Sequence, residues 1–126
     1  MPVAFAFNAP LEIFVIAEGD VTFAEVAVLL DELIDDPRIQ PGTGILVDSR
    51  KVEGAPSTPE LRLIARDLAP LRDRGVNRIA VCADSMFVYG IARMFAVFAE
   101  LIGIHVAAFR DMDAAKLWLS SSEAAA

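Results

Sequence analysis

Large and small residues alternate at the start of the chain. Val3, Phe5 and Phe7 fall on one side, Ala4 and Ala6 on the other, which is the period of a strand. Asn8, Ala9 and Pro10 then read as a turn. Residues 11–17 form a nearly unbroken apolar run, interrupted only by Glu12, as expected of a strand covered on both faces. The two strands are close enough in sequence to pair as an antiparallel hairpin.

The period then changes. Val26, Leu29, Leu30, Leu33 and Ile34 recur at helical spacing. Thr22 and Glu25 stand three apart before them, the signature of a capping box, with Val21 and Val26 placed as a hydrophobic staple. Asp31, Glu32, Asp35 and Asp36 crowd the far end of this helix, where negative charge opposes the helix dipole. Pro37, Pro41 and Gly42 stop it. Residues 45–47 make a short apolar third strand, and residues 48–56 a turn-rich loop. Ser57 or Thr58 caps a second helix, with Pro59 in its first turn and Glu60 able to complete a capping box with Ser57. Its buried stripe is Leu61, Ile64, Ala65, Leu68 and Leu71. Pro70 predicts a kink or break near Leu68, and Gly75 ends the segment.

Residues 78–83 read as the fourth strand. Asp84 or Ser85 caps a third helix over 86–102, which Gly103 terminates. Residues 104–109 give the fifth strand. Asp111 caps a short fourth helix through Leu119, anchored by Leu117 and Trp118. The predicted order is β-β-α-β-α-β-α-β-α, an α/β class with a mostly parallel five-stranded sheet and four helices on both faces. Residues 1–119 form one domain, and 120–126 a small, polar tail expected to fray.

Composition sharpens the functional classes. The 126 residues suit one domain, and 56% hydrophobic content with a mean hydropathy of +0.50 supplies ample core. A formal charge of −7 disfavours nucleic acid and anionic membrane surfaces as partners. The most apolar long stretch, 86–104, carries Gly90, Arg93 and Glu100. It reads as a helix and a strand start rather than a membrane span. Cys82 is the single cysteine, so no disulfide forms within the chain. With no signal-peptide pattern at the N-terminus, a reducing cytoplasm is the expected compartment.

Charge is segregated along the chain. Between Glu12 and Asp36 lie eight acids and no base; between Arg50 and Arg78 lie seven bases and four acids. Arg62, Arg66, Arg72 and Arg74 on the second helix form either a solvated face with local pairs or a docking face for acid, including a like subunit's first helix. The third helix carries apolar residues round most of its circumference, leaving Tyr89, Arg93 and Glu100 as a narrow polar stripe. Phe87, Ile91, Met94, Phe95 and Phe98 mark a second apolar face. It either contacts another copy of the chain in a homodimer or lines a pocket for a small apolar molecule.

Catalytic constellations are weak. Asp20, Asp48, Asp84 and Asp111 follow four strands and could serve a cation, yet three of them also stand where helix caps stand. His105 is the only histidine and has no serine or cysteine at motif spacing, and no Gly-x-Ser-x-Gly elbow occurs. Cys82 reads as a small buried hydrophobe. No cofactor, metal or catalytic residue is assigned, and the expectation is a non-enzymatic chain.

The segment Glu18-Gly-Asp-Val-Thr22, then Leu46-Val-Asp-Ser-Arg50, the strand Arg78-Ile-Ala-Val-Cys82 and the terminal Phe109-Arg-Asp followed by Ala114-Ala-Lys-Leu-Trp-Leu119 resemble the STAS superfamily. The likeness is to its bacterial SpoIIAA-like, STAS/SEC14-like branch, and it covers nearly the whole chain. It implies a sheet order of 1-3-2-4-5 and a domain that regulates by binding a protein partner. In sporulation antagonists an Asp-Ser-Ser-Gly-like motif before the second helix carries a phosphorylated serine. Here the stretch is Ala55-Pro56-Ser57-Thr58-Pro59, without the acid or the glycine. Ser57 and Thr58 are the corresponding phosphorylation candidates. Asp48, Ser49, Arg50, Lys51, Ser57 and Thr58 form the expected recognition surface, with a lipid or similar apolar ligand as the alternative function.

Overall fold

The computed structural model describes residues 3–120. Ten elements follow one another: β1 (Val3–Ala9), β2 (Glu12–Asp20), α1 (Phe23–Ile34), β3 (Gly44–Gly54), α2 (Thr58–Asp67), α3 (Ala69–Asp73), β4 (Arg78–Cys82), α4 (Met86–Glu100), β5 (His105–Phe109) and α5 (Met112–Ser120). The local signals act as read. Thr22 and Glu25 close the capping box of α1: the Thr22 hydroxyl accepts from the Glu25 amide at 3.3 Å, and the Glu25 carboxylate accepts from the Thr22 amide at 2.9 Å. Ser57 and Glu60 do the same for α2. Ser85 caps α4, and the Asp111 carboxylate accepts from the Ala114 amide at 3.0 Å ahead of α5. The helical run containing Pro70 breaks at Leu68 into α2 and α3, because the ring cannot donate to the preceding turn. The chain therefore has five described helices where four were expected. The flexible tail proposed for 120–126 lies outside the described residues except for Ser120, the last residue of α5.

The sheet order corrects an expectation. It is β1-β2-β3-β4-β5, not 1-3-2-4-5, and the pairing is mixed. β1 and β2 form an antiparallel hairpin; β2–β3, β3–β4 and β4–β5 are parallel. β2 thus lies between its hairpin partner and β3 rather than at the sheet's centre. Its apolar run suggested burial on both faces, but only Ile13, Val15 and Ala17 are buried. Phe14 is half-buried, and Ile16 on the same face is exposed.

Order and handedness decide where the helices go. Each parallel crossover advances one strand in the same direction, and right-handed crossovers then put all connecting helices on one face. Accordingly α1, α2, α3 and α4 pack on the face carrying Ile13, Val15, Ile45, Ile79, Val81 and Val106. α5, which follows the last strand, covers the other face, where Ala115 and Leu119 meet Leu46, Ala80 and Cys82. Gly44 admits this close approach: a Cβ there would lie 2.8 Å from Leu119 Cδ1.

Two arginines beyond α2 tie this face together. Arg74 Nη1 donates to the Ile34 carbonyl at 2.6 Å, and its Nη2 donates to the Ile39 carbonyl at 3.1 Å. Arg72 Nη1 donates to the Ile102 carbonyl at 2.7 Å. α1 has no base in its last turn, so Arg74 supplies across space the cation that its acidic end lacks. Arg74→Ala is expected to cost about 2 kcal/mol, since it leaves two carbonyls short of a charged donor. Arg74→Lys should recover only part of this, because an ammonium cannot fork to both. Thermal unfolding followed by circular dichroism measures both.

Candidate functional site

β3 is much longer than expected. Residues 48–54, read as loop, continue the strand. Its pairing with β4 ends at Asp48 opposite Cys82, while pairing with β2 goes on through Lys51–Glu18, Val52–Gly19 and Gly54–Asp20. Between Asp48 and Lys51 the strand holds one residue more than β2 does, and again between Val52 and Gly54. These are bulges, which bend and twist a strand out of a flat ladder. Polar residues at 48–51 hid the strand, since no apolar alternation marks it. Where β3 parts from β4, the buried Ser49 donates its hydroxyl to the Cys82 carbonyl at 2.7 Å and replaces a ladder bond.

The predicted surface residues divide into three small systems. Arg50 forks onto Asp48: Nε donates to Oδ1 and Nη2 to Oδ2, each at 2.9 Å. These hydrogen bonds hold the Asp48 carboxyl below its ordinary value against the opposing effect of partial burial. Exposed Lys51 stands 4.0 Å from Glu18, a spacing that contributes little in solvent. Ser57 is engaged in the α2 cap, and Thr58 points its hydroxyl at Met94 Sδ, 3.8 Å away on α4. Arg50 and Lys51 are thus turned to carboxylates of β3 and β2.

Beneath this segment lies an apolar cavity of about 200 Å³. The sheet provides its floor with Val15, Ile45, Val47 and Val81; α1, α2 and α4 provide walls with Leu30, Ile64 and Phe95. Val52, Ala55 and Pro56, on the inner side of the candidate recognition segment, complete it. Ser49 is the one polar lining residue among those described, and its hydroxyl is already spent on Cys82. Such a space is larger than the engineered apolar cavity of about 150 Å³ that stays dry and takes benzene.

α4 explains its own apolar excess. Ile91 and Phe95 line the cavity, while Met94 and Phe98 are half-buried beside α2, with the Arg62 guanidinium 5.0 Å above the Phe98 ring. Of the five residues read as one face, Phe87 alone is largely exposed, at 58%. Val97 and Leu101, outside that set, are exposed too.

Of the other chemical candidates, Cys82, Asp84 and Asp111 gather at the ends of β4 and β5 beside Asp48 and Arg50, while His105 stands at the opposite end of the sheet. His105 is exposed at the start of β5, its ring edge-on to Trp118 at 5.3 Å. Cys82 is buried, and burial pushes its thiol above the ordinary value. Asp84 offers its backbone carbonyl to Arg110 Nη2 at 2.9 Å, and Asp111 caps α5. No group of three or more His, Cys, Asp or Glu side chains among the described residues is arranged to hold a metal ion. No described helix is long and apolar enough to cross a membrane.

With that geometry the likeness to known proteins concerns the fold. No family model matches the chain, and no curated protein matches it. Among solved structures it is similar to an uncharacterised protein of the DUF3478 family with a SpoIIAA-like fold from Shewanella loihica. The two share 18% identity over 93% of each chain, with a TM-score of 0.61. The chain is an α/β domain with a SpoIIAA-like fold.

The Asp48–Arg50 fork makes a pH-dependent element. A depressed folded-state value means that its stabilisation is present above the ordinary carboxyl value and is lost as pH falls through the folded one. Arg50→Ala should raise the Asp48 value, and Asp48→Asn should flatten the acid limb of the stability curve. Carboxyl-carbon NMR titration reads the first, and denaturation at stepped pH the second. An Asp48 titration unchanged by Arg50→Ala would contradict the assignment.

Proposed function

We propose that this chain is a non-enzymatic regulatory binding domain. It works in the cytoplasm as a homodimer and recognises a protein partner through the end of β3 and the start of α2. The observation that carries this reading is the one-sided attachment of residues 49–54. Lys51, Val52 and Gly54 pair with β2 and lack a ladder partner on β4, which the segment reaches only through the Ser49 hydroxyl on the Cys82 carbonyl, and it places Arg50 and Lys51 outward just before the exposed Ser57 and Thr58. A segment held on one side can adjust to a partner without disturbing the core. Phosphorylation belongs to the same proposal. A phosphate on Ser57 would occupy the oxygen that accepts from the Glu60 amide and repel the Glu60 carboxylate that accepts from the Ser57 amide, so modification would remodel the cap rather than add to it.

The test is quantitative co-purification from native cells with wild type, Arg50→Ala/Lys51→Ala and Ser57→Asp/Thr58→Asp. The expected result is a defined set of proteins reduced about tenfold or more by the first variant and altered by the second. An unchanged set with folded variants would overturn this surface.

A second reading is favoured by the cavity: a small apolar ligand held between the sheet and α1, α2 and α4. Ile91 is partly exposed and lines the space, so Ile91→Trp should fill it. Native mass spectrometry of protein purified from cells should then show a bound apolar molecule in wild type and none in the variant. A clean apo mass for wild type, together with no shift of the cavity methyl resonances on titrating hexanol, would remove this reading.

A further inference from the structure

We infer that the homodimer contact is made by the outer faces of α1 and α2, which meet the same two helices of a second copy in exchanged positions. This deepens the homodimer part of the reading above and rests on it. Val28, Asp31 and Glu32 share one exposed stripe of α1, opposite the buried Leu30 and Leu33. Arg62, Leu63 and Arg66 share the exposed stripe of the neighbouring α2, opposite Leu61, Ile64 and Leu68. An acidic stripe thus lies beside a basic one on the same face of the molecule. None of Asp31, Glu32, Arg62 or Arg66 makes an ion pair with a described residue, and Arg62 instead lays its guanidinium over the Phe98 ring of α4. Exposed Asp67, one turn on from Leu63, borders this stripe on the side away from Arg62 and leaves it with a net positive charge. Each stripe also carries an exposed aliphatic residue, Val28 at 52% and Leu63 at 37%.

Geometry selects the arrangement. α1 and α2 each return the chain from the end of one parallel strand to the start of the next, so they run parallel to one another. A two-fold axis in the contact plane, lying between them and along them, sets α1 of one copy on α2 of the other and the converse. Both acid–base contacts then form twice, and Val28 faces the partner's Leu63. A two-fold axis across the helices instead sets α1 on α1 and α2 on α2, which is repulsive at both. Charge therefore accepts one isologous arrangement and rejects the other. A chain of net charge −7 needs such a local complement to approach its own copy.

The experiment uses the full chain in sedimentation velocity over a wide range of concentration. Wild type should dimerise, and more weakly as salt is raised. Arg62→Glu/Arg66→Glu should leave two acidic stripes, and Asp31→Arg/Glu32→Arg two basic ones. Each variant alone should self-associate about a hundredfold more weakly, while their mixture should form a heterodimer at wild-type concentrations. That rescue also demonstrates that both variants are folded. If wild type dimerises and both variants dimerise equally well, the α1–α2 contact is wrong and the homodimer stands. A wild type that is monomeric throughout overturns both.

Discussion

Each parallel crossover in this sheet carries the chain one strand further from β1. With right-handed connections that single constraint loads α1, α2, α3 and α4 onto one face and leaves α5 for the other. The crowded face holds the main core, the apolar cavity and the two arginines that close helix ends across space. It also sets α1 and α2 side by side with opposite charge on their outer stripes. In a sheet that reversed direction, a cleft would open at the ends of the strands where the order switches. This sheet has no such reversal, and of its strand-end acids Asp48 serves a local pair and Asp111 a cap instead.

The shape of the proposed recognition segment follows from where the strands stop. β4 is five residues long and β3 eleven, so β3 outruns β4 while β2 stays with it. Ser49 satisfies the carbonyl at the parting, and the bulges beyond it bend the strand away from a flat ladder. What results is a two-sided element. Outward it carries Arg50 and Lys51; inward it places Val52, Ala55 and Pro56 against the cavity. Filling that cavity and engaging the outer surface act on the same stretch of backbone, so the two functional readings share a structural element.

Much of this was legible in the sequence, and the division has a physical cause. Signals that act within one turn of the chain were readable. The capping pairs Thr22–Glu25 and Ser57–Glu60, the break before Pro70 and the glycine stop at Gly103 all depend on neighbours three or four residues away. Sheet order does not, and the resemblance that supplied 1-3-2-4-5 misplaced β2. The length of β3 was hidden because residues 48–51 are polar and those beyond Asp48 have no ladder partner on β4, so they lack the apolar pattern of a covered strand. Arg72 and Arg74 read as surface charge, because their acceptors, Ile102, Ile34 and Ile39, are thirty to forty residues away. The apolar face of α4 was recognised, but its covering by α2 and the cavity required the packed helices.

Hydrogen–deuterium exchange of the isolated protein, compared with the protein held in its cellular complex, tests most directly whether the end of β3 and the start of α2 form the working surface. The account predicts fast exchange at residues 49–58 in isolation, slower exchange at 44–48, and protection on binding concentrated in 49–62. Protection confined to the α5 face, with 49–58 unchanged, would contradict it.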